Sequence, residues 1–228
     1  MAEVKAVLAA SALVLRELAR PAGGAEREAS SPYEVLMIRR HESASFVPNA
    51  WVFPGGMLEE LDRDVSRARH GGSLLAAMKV AAIRELFEET GIWLGRPLED
   101  ADPKRRRLLA GNLAFRSLLA ESPVELERLV WTSRWITPDG VPKRFDTYFF
   151  LTVAPDGAIA SLVNDEAVEV AWVTPERAIA ELKMVFPTIR NLEAISGFES
   201  VTALLDSRRG AEIPAVQPVI VDGKVTLP

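Results

Sequence analysis

Residues 84–92 read Arg-Glu-Leu-Phe-Glu-Glu-Thr-Gly-Ile, and no other stretch constrains the fold as tightly. Glu85, Glu88 and Glu89 are spaced i, i+3, i+4. At roughly 100° per residue they share one arc of an α-helix. Ala76, Val80, Ile83, Leu86 and Phe87 fall on the opposite arc, which the pattern assigns to the core. Ser73 is the expected N-cap, and Gly91 the C-terminal stop. Ala81 and Ala82 flank the carboxylates and are expected to leave room for a ligand above the acidic face.

Around this helix the chain alternates apolar runs with turn signals. Strands are expected at residues 7–18, 34–40, 51–53, 133–137, 144–153 and 168–173. Further helices are expected at 103–121, 123–130, 175–182, 187–195 and 199–206. Residues 218–221 and 224–227 flank Asp222-Gly223, a hairpin signal. Residues 19–32 read as a loop. Residues 59–72 are polar without clear periodicity. With 48% hydrophobic and 26% charged residues, the chain has ordinary globular composition. Strands and helices intermix without regular βαβ order. The expected class is therefore α/β (α+β): a mixed β-sheet sandwiched between helices, with extra C-terminal helices and a hairpin. No long linker divides it. One domain over 1–228 is expected, with a core at about 7–182 and a C-terminal elaboration at about 183–228.

Composition removes whole classes of chemistry. The chain has no cysteine and two histidines, His41 and His70. A disulfide framework, a thiol nucleophile, a Cys-ligated zinc and a His-rich metal site are all excluded. The net charge of −5 argues against a nucleic-acid surface. The longest apolar run, residues 6–15, is too short for a membrane span, which needs about 20 residues. Glu3 spoils a signal-peptide leader, and the terminal Thr226-Leu227-Pro228 is neither a peroxisomal nor a retention signal. A cytoplasmic location is the expectation.

Three carboxylates on one face repel each other by a few tenths of a kcal/mol per exposed pair, and by more when partly buried. A hard divalent cation removes that repulsion. Mg²⁺ takes oxygen ligands and often bridges protein carboxylates to phosphates. The plainer alternative is a solvated acidic stripe with Arg84 paired to Glu88 at i+4. Context decides against the plain reading. Upstream, Phe53-Pro54-Gly55-Gly56 forms a turn whose glycines allow close backbone approach, and downstream Gly91 ends the helix where the carboxylates end.

Gly56 and residues 84–92 resemble the Nudix hydrolase family, whose box reads G-x5-E-x7-R-E-U-x-E-E-x-G-U with U aliphatic. The second half matches without departure. In the first half Asp62 stands in place of the box glutamate, and twenty-one residues, not seven, separate it from Arg84. The resemblance covers roughly residues 7–179. Residues 36–40 (LMIRR), 46–56 (FVPNAWVFPGG), 135–138 (WITP), 144–150 (RFDTYFF) and 218–225 (PVIVDGKV) also look like the coenzyme A diphosphatase-like branch with an interrupted box.

The resemblance implies Mg²⁺- or Mn²⁺-dependent hydrolysis of a diphosphate linkage in a nucleoside diphosphate derivative. It implies Glu85, Glu88, Glu89 and the Gly55 carbonyl as metal ligands, with Glu85 alternatively a general base. Arg84 would orient the carboxylates. Many family members use a carboxylate outside the box, and here Glu166 is preferred over Glu169. Arg144, Arg39 and Gly56 are candidate substrate contacts. Arg39 and Arg40 are adjacent on a strand, so at most one faces a given site. Trp51 and Trp135 read as core residues first and base-stacking residues second. Many relatives dimerise, and the apolar segment 213–227 is a candidate to contribute to a homodimer. Three readings stay open: hydrolysis of coenzyme A or an acyl derivative; the same chemistry on ADP-ribose, a dinucleotide or a nucleoside triphosphate; and a ligand-binding regulator without catalysis. Retention of mutually repelling glutamates argues against the last.

Overall fold

The computed structural model describes residues 4–18, 31–163 and 166–227. The strands are β1 (Val7–Glu17), β2 (Tyr33–Arg40), β3 (Trp51–Val52), β4 (Gly55–Met57), β5 (Val130–Ile136), β6 (Phe145–Val153), β7 (Ala167–Val173), β8 (Ala215–Val216), β9 (Val219–Val221) and β10 (Lys224–Thr226). The helices are α1 (Glu60–Arg69), α2 (Leu74–Thr90), α3 (Ala101–Leu109), α4 (Phe115–Glu121), α5 (Pro175–Glu181), α6 (Phe186–Ile195) and α7 (Val201–Arg208).

The strand order β3-β2-β1-β6-β5-β8 forms one mixed sheet, with β4 paired to β1 and β7 to β2. β1 runs parallel to β6 and antiparallel to β2 and β4. Its run of small and β-branched apolar residues suits a central strand buried on both faces. Alternation sorts those residues. Ala10, Ala12 and Val14 join Leu36, Tyr148 and Phe150 under α2, while Leu13 and Leu15 join Tyr33, Val35, Met37, Phe149 and Leu151 under α6 and α7. Helices thus cover both faces, as the sequence implies, and residues 186–208 complete the second core.

α2 begins at Ser73, whose Oγ accepts from the Ala76 N–H at 3.1 Å, and ends at Gly91 with φ 75°. Both termini match their expected residues. Its packing is more complete than expected. Ala81 and Ala82 are fully buried in the first core, not open toward a ligand. They are small because neighbours press on the helix from that side too.

Several elements differ from the sequence reading. Residues 60–69 form α1, which buries only Asp62, Val65 and Ser66. These sit at helical spacing, but two are polar, so no apolar period marks them. The expected helix 103–121 is two helices, interrupted near Gly111 at φ 72°. Gly55 and Gly56, expected within the turn 53–56, pair with β1 together with Met57 as β4. The expected helix 123–130 shrinks to one 3-10 turn at Leu126–Arg128. Of the expected loop 19–32, residues 19–30 lie outside the described residues. Among the described residues, no helix is long and apolar enough to cross a membrane.

Candidate active site

The site is assembled where α2 passes β4. A Cβ on Gly56 would lie 2.3 Å from Glu85 Oε1, and one on Gly55 would lie 2.3 Å from both the Ala10 carbonyl and Ser11 Oγ. Neither glycine has a positive φ. They are required by space: Gly55 lets β4 close on β1, and Gly56 cedes its side-chain volume to a carboxylate. The Gly55 N–H donates to Glu89 Oε2 at 2.8 Å, which fixes that side chain.

Arg84 is the hub beneath the glutamates. Its Nε and Nη2 donate to the two Asp62 oxygens at 2.9 and 3.0 Å, and Nη2 also reaches the Met57 carbonyl at 3.0 Å. Its Nη1 donates to Glu85 Oε1 at 2.8 Å and Glu88 Oε2 at 3.1 Å. Asp62 is fully buried and accepts from the Glu59 N–H at 2.9 Å. The residue in the position of the first box glutamate is therefore a partner of Arg84, away from the cavity. The fork-to-fork geometry holds the guanidinium in one orientation. Burial works against the Arg84 charge, but the Asp62 hydrogen bonds and the surrounding carboxylates outweigh it and hold its pKa above the usual arginine range.

Burial pushes all three glutamates the other way. Desolvation raises Glu85 to about 7, against the pull of Arg84. Glu88 is raised chiefly by desolvation. Glu89 is raised well above the carboxylate range by desolvation and by the charge of Glu85, with Gly55 and Arg40 opposing and Glu166 adding to the rise. Among the described residues, no group of three or more acidic or histidine side chains converges on a single cation-sized point. Arg84 draws one oxygen each from Glu85 and Glu88 to itself. The donor chemistry nevertheless fits a hard cation. These are desolvated oxygen ligands whose ionised forms lack sufficient positive charge nearby, and a divalent ion supplies it.

Glu85, Glu88, Glu89, Arg84, Gly55, Gly56 and Glu166 all line one cavity of about 930 Å³. Glu166 is exposed, and its carbonyl accepts from the His41 N–H at 3.0 Å. Its sequence neighbour Asp165 lies outside the described residues. Away from the glutamates the wall turns apolar and aromatic, with Phe46, Trp135, Ile136, Phe145 and Phe186.

Two expected substrate contacts do not line this cavity. Arg144 is buried and donates to the Thr137 carbonyl at 3.1 Å and the Val4 carbonyl at 2.9 Å, and pairs with Asp139 at 2.6 Å. It ties the N-terminal strand to the turn before β6. Arg39 lies on the other face of β2 and pairs with Glu169 at 3.0 Å. Arg40 lines the cavity instead, on the face of Leu36, over which α2 packs, and its Nε donates to the Phe46 carbonyl at 3.1 Å. Lys143 lines it as well. Neither residue stands out in the sequence as a site residue. Strand alternation separates Arg39 from Arg40 without saying which faces the site, and Lys143 and Arg144 precede β6, where alternation gives no signal.

The chain matches the NUDIX domain model over residues 22–193. It is 30% identical over 232 residues to the acyl-coenzyme A diphosphatase NUDT19 of Gallus gallus, covering 71% of this chain and 61% of that protein. It is 28% identical over 212 residues to its Xenopus laevis counterpart, covering 68% and 56%. The chain spans less than two thirds of the length of the curated relatives it matches. Among solved structures, a NUDIX hydrolase from Alicyclobacillus acidocaldarius superposes with a TM-score of 0.74 at 25% identity, covering 89% of this chain and 96% of that one.

Proposed function

From the premise that the chain belongs to the Nudix family, which the domain match over residues 22–193 establishes, we propose that it hydrolyses the diphosphate linkage of coenzyme A or an acyl-coenzyme A with the help of a divalent cation. The observation that carries this reading is a single cavity with two kinds of wall. One part of its lining presents Glu85, Glu88 and Glu89; another is aromatic and apolar, and the volume of about 930 Å³ leaves room for a group attached to the diphosphate. The NUDT19 relatives, named acyl-coenzyme A diphosphatases, support the choice among diphosphate substrates.

Glu85, Glu88, Glu89, Glu166 and the Gly55 carbonyl would hold the cation, Mg²⁺ or Mn²⁺. Bound there, it supplies positive charge against the diphosphate and acidifies a water. The remaining work falls to the chain. The Gly55 N–H orients Glu89, and Arg84 orients Glu85 and Glu88 without reaching the substrate. In the alternative assignment Glu85 is the general base instead of a ligand and accepts a proton from the attacking water. The apolar wall excludes bulk water and seats the departing group.

The test is a product-release screen of the purified chain with Mg²⁺ or Mn²⁺ over coenzyme A, an acyl-coenzyme A, ADP-ribose, diadenosine polyphosphates and nucleoside triphosphates. Coenzyme A compounds should be turned over fastest. Glu89→Gln should lower that turnover by about 10²- to 10⁴-fold with the circular dichroism spectrum unchanged. Preference for another substrate would overturn the substrate assignment, and absence of both turnover and cation binding would overturn the hydrolase reading.

A further inference from the structure

We propose that Lys143 is a specificity-determining residue that holds a phosphate monoester of the substrate separate from the diphosphate being cleaved. The inference rests on the diphosphatase reading above and adds a second anion subsite to the same cavity.

The cations lining that cavity differ in what already occupies them. Arg84 is saturated by Asp62, Glu85, Glu88 and the Met57 carbonyl. Arg40 donates to the Phe46 carbonyl and acts on Glu89 electrostatically. Lys143 has no carboxylate partner among the described residues. Its Nζ donates to the neutral Ser45 hydroxyl at 3.1 Å and stands 5.5 Å from the centre of the Phe145 ring. The ammonium is exposed, is positioned by neutral groups and lines the cavity, so it is available to an anion that arrives with the ligand. Its neighbour Arg144 turns the other way into the structure.

Register gives the separation. Phe145 pairs with Val7, whereas Tyr148 pairs with Ala10, which is also opposite Gly56 at the glutamate end. Three residues of strand, about 10 Å at 3.3 Å per residue, therefore lie between the level of Phe145 and that of Glu85. That separation sets a group at Lys143 apart from a diphosphate lying against the glutamates, on the same ligand at the far side of a nucleoside-sized spacer.

The experiment compares coenzyme A with 3′-dephospho-coenzyme A, which differ by one phosphate monoester. Wild type should prefer coenzyme A in kcat/KM. Lys143→Ala should reduce that preference by about ten- to a hundredfold, acting mainly on KM, and Lys143→Arg should restore most of it. Equal losses on both substrates would place Lys143 on the diphosphate, and no loss on either would remove it from the site; both overturn the proposal. A binding arm separates this outcome from failure of the hydrolase reading. Calorimetric titration with adenosine 3′,5′-bisphosphate and with 5′-AMP needs no turnover. If wild type discriminates between them and Lys143→Ala does not, the subsite stands even without hydrolysis. If wild type fails to discriminate, or the variant discriminates as well as wild type, it falls.

Discussion

Gly56 sets how closely a carboxylate can approach the sheet. Its missing side chain is the space that Glu85 occupies, so a single methyl group there is expected to act on chemistry more than on folding. Gly56→Ala has no φ penalty to meet, and the obstructing atoms belong to the far end of a flexible side chain. The glutamate will swing away and lose its bond to Arg84 Nη1. A displacement on the order of 1 Å at a reacting group costs about 10²-fold in rate. Steady-state kinetics should show that loss in kcat, while a thermal melt moves by only a few degrees; a variant with wild-type kcat would show that the position of Glu85 is not set by this glycine. The motif told us that a glycine stands here, and the structure adds that its reason is volume rather than backbone conformation.

α1 and α2 are joined through one buried ion pair, and this joint is where sequence reading was weakest. α2 was legible because capping chemistry at Ser73, an apolar arc and Gly91 at positive φ all point to the same boundaries. α1 was illegible because its inward face is Asp62, Val65 and Ser66, and burial of an aspartate is decided by a partner twenty-two positions away. β4 was hidden for a related reason: two glycines read as a turn by propensity, yet they pair with β1, where a side chain on Gly55 would strike the Ala10 carbonyl and Glu85 fills the volume beside Gly56. The apolar alternation of β1, β2 and β6 carried the sheet, but it could not choose between Arg39 and Arg40, and it does not reach Lys143 and Arg144, which precede β6. The α1–α2 joint makes its own prediction. Asp62→Ala leaves the buried Arg84 guanidinium short of its bidentate partner and should lower stability by about 3 kcal/mol. Urea unfolding would measure this. A loss below ~1 kcal/mol would mean that Glu85 and Glu88 alone suffice to hold Arg84.

At the scale of the whole molecule, the glutamate cluster links stability to pH and to divalent cations. Glu85 has a folded-state pKa near 7, above its usual value of 4.5. Its proton is therefore held by the folded chain and released by the unfolded chain between those values. The slope of unfolding free energy with pH is negative there, so this group's contribution is fully present below about pH 4.5 and is lost as pH rises to about 7. Glu88 and Glu89 shift in the same direction and reinforce it. In chelator-treated protein, the stability of wild type relative to Glu85→Gln should fall by on the order of 1–3 kcal/mol across that window, as read from paired thermal melts at several pH values. A flat difference would place Glu85 in a less desolvated setting. Divalent ions should reverse the trend. They bind the ionised carboxylates, so they compete with protons, and their affinity grows as pH rises. At a hundredfold excess over the dissociation constant, such binding adds about 2.7 kcal/mol to the folded state. The rise in Tm on adding Mg²⁺ or Mn²⁺ should therefore be small at pH 5, larger at pH 8, and largely absent in Glu89→Gln at either pH. An equal rise at both pH values, or an undiminished rise in the variant, would mean that the ions act somewhere other than this carboxylate cluster.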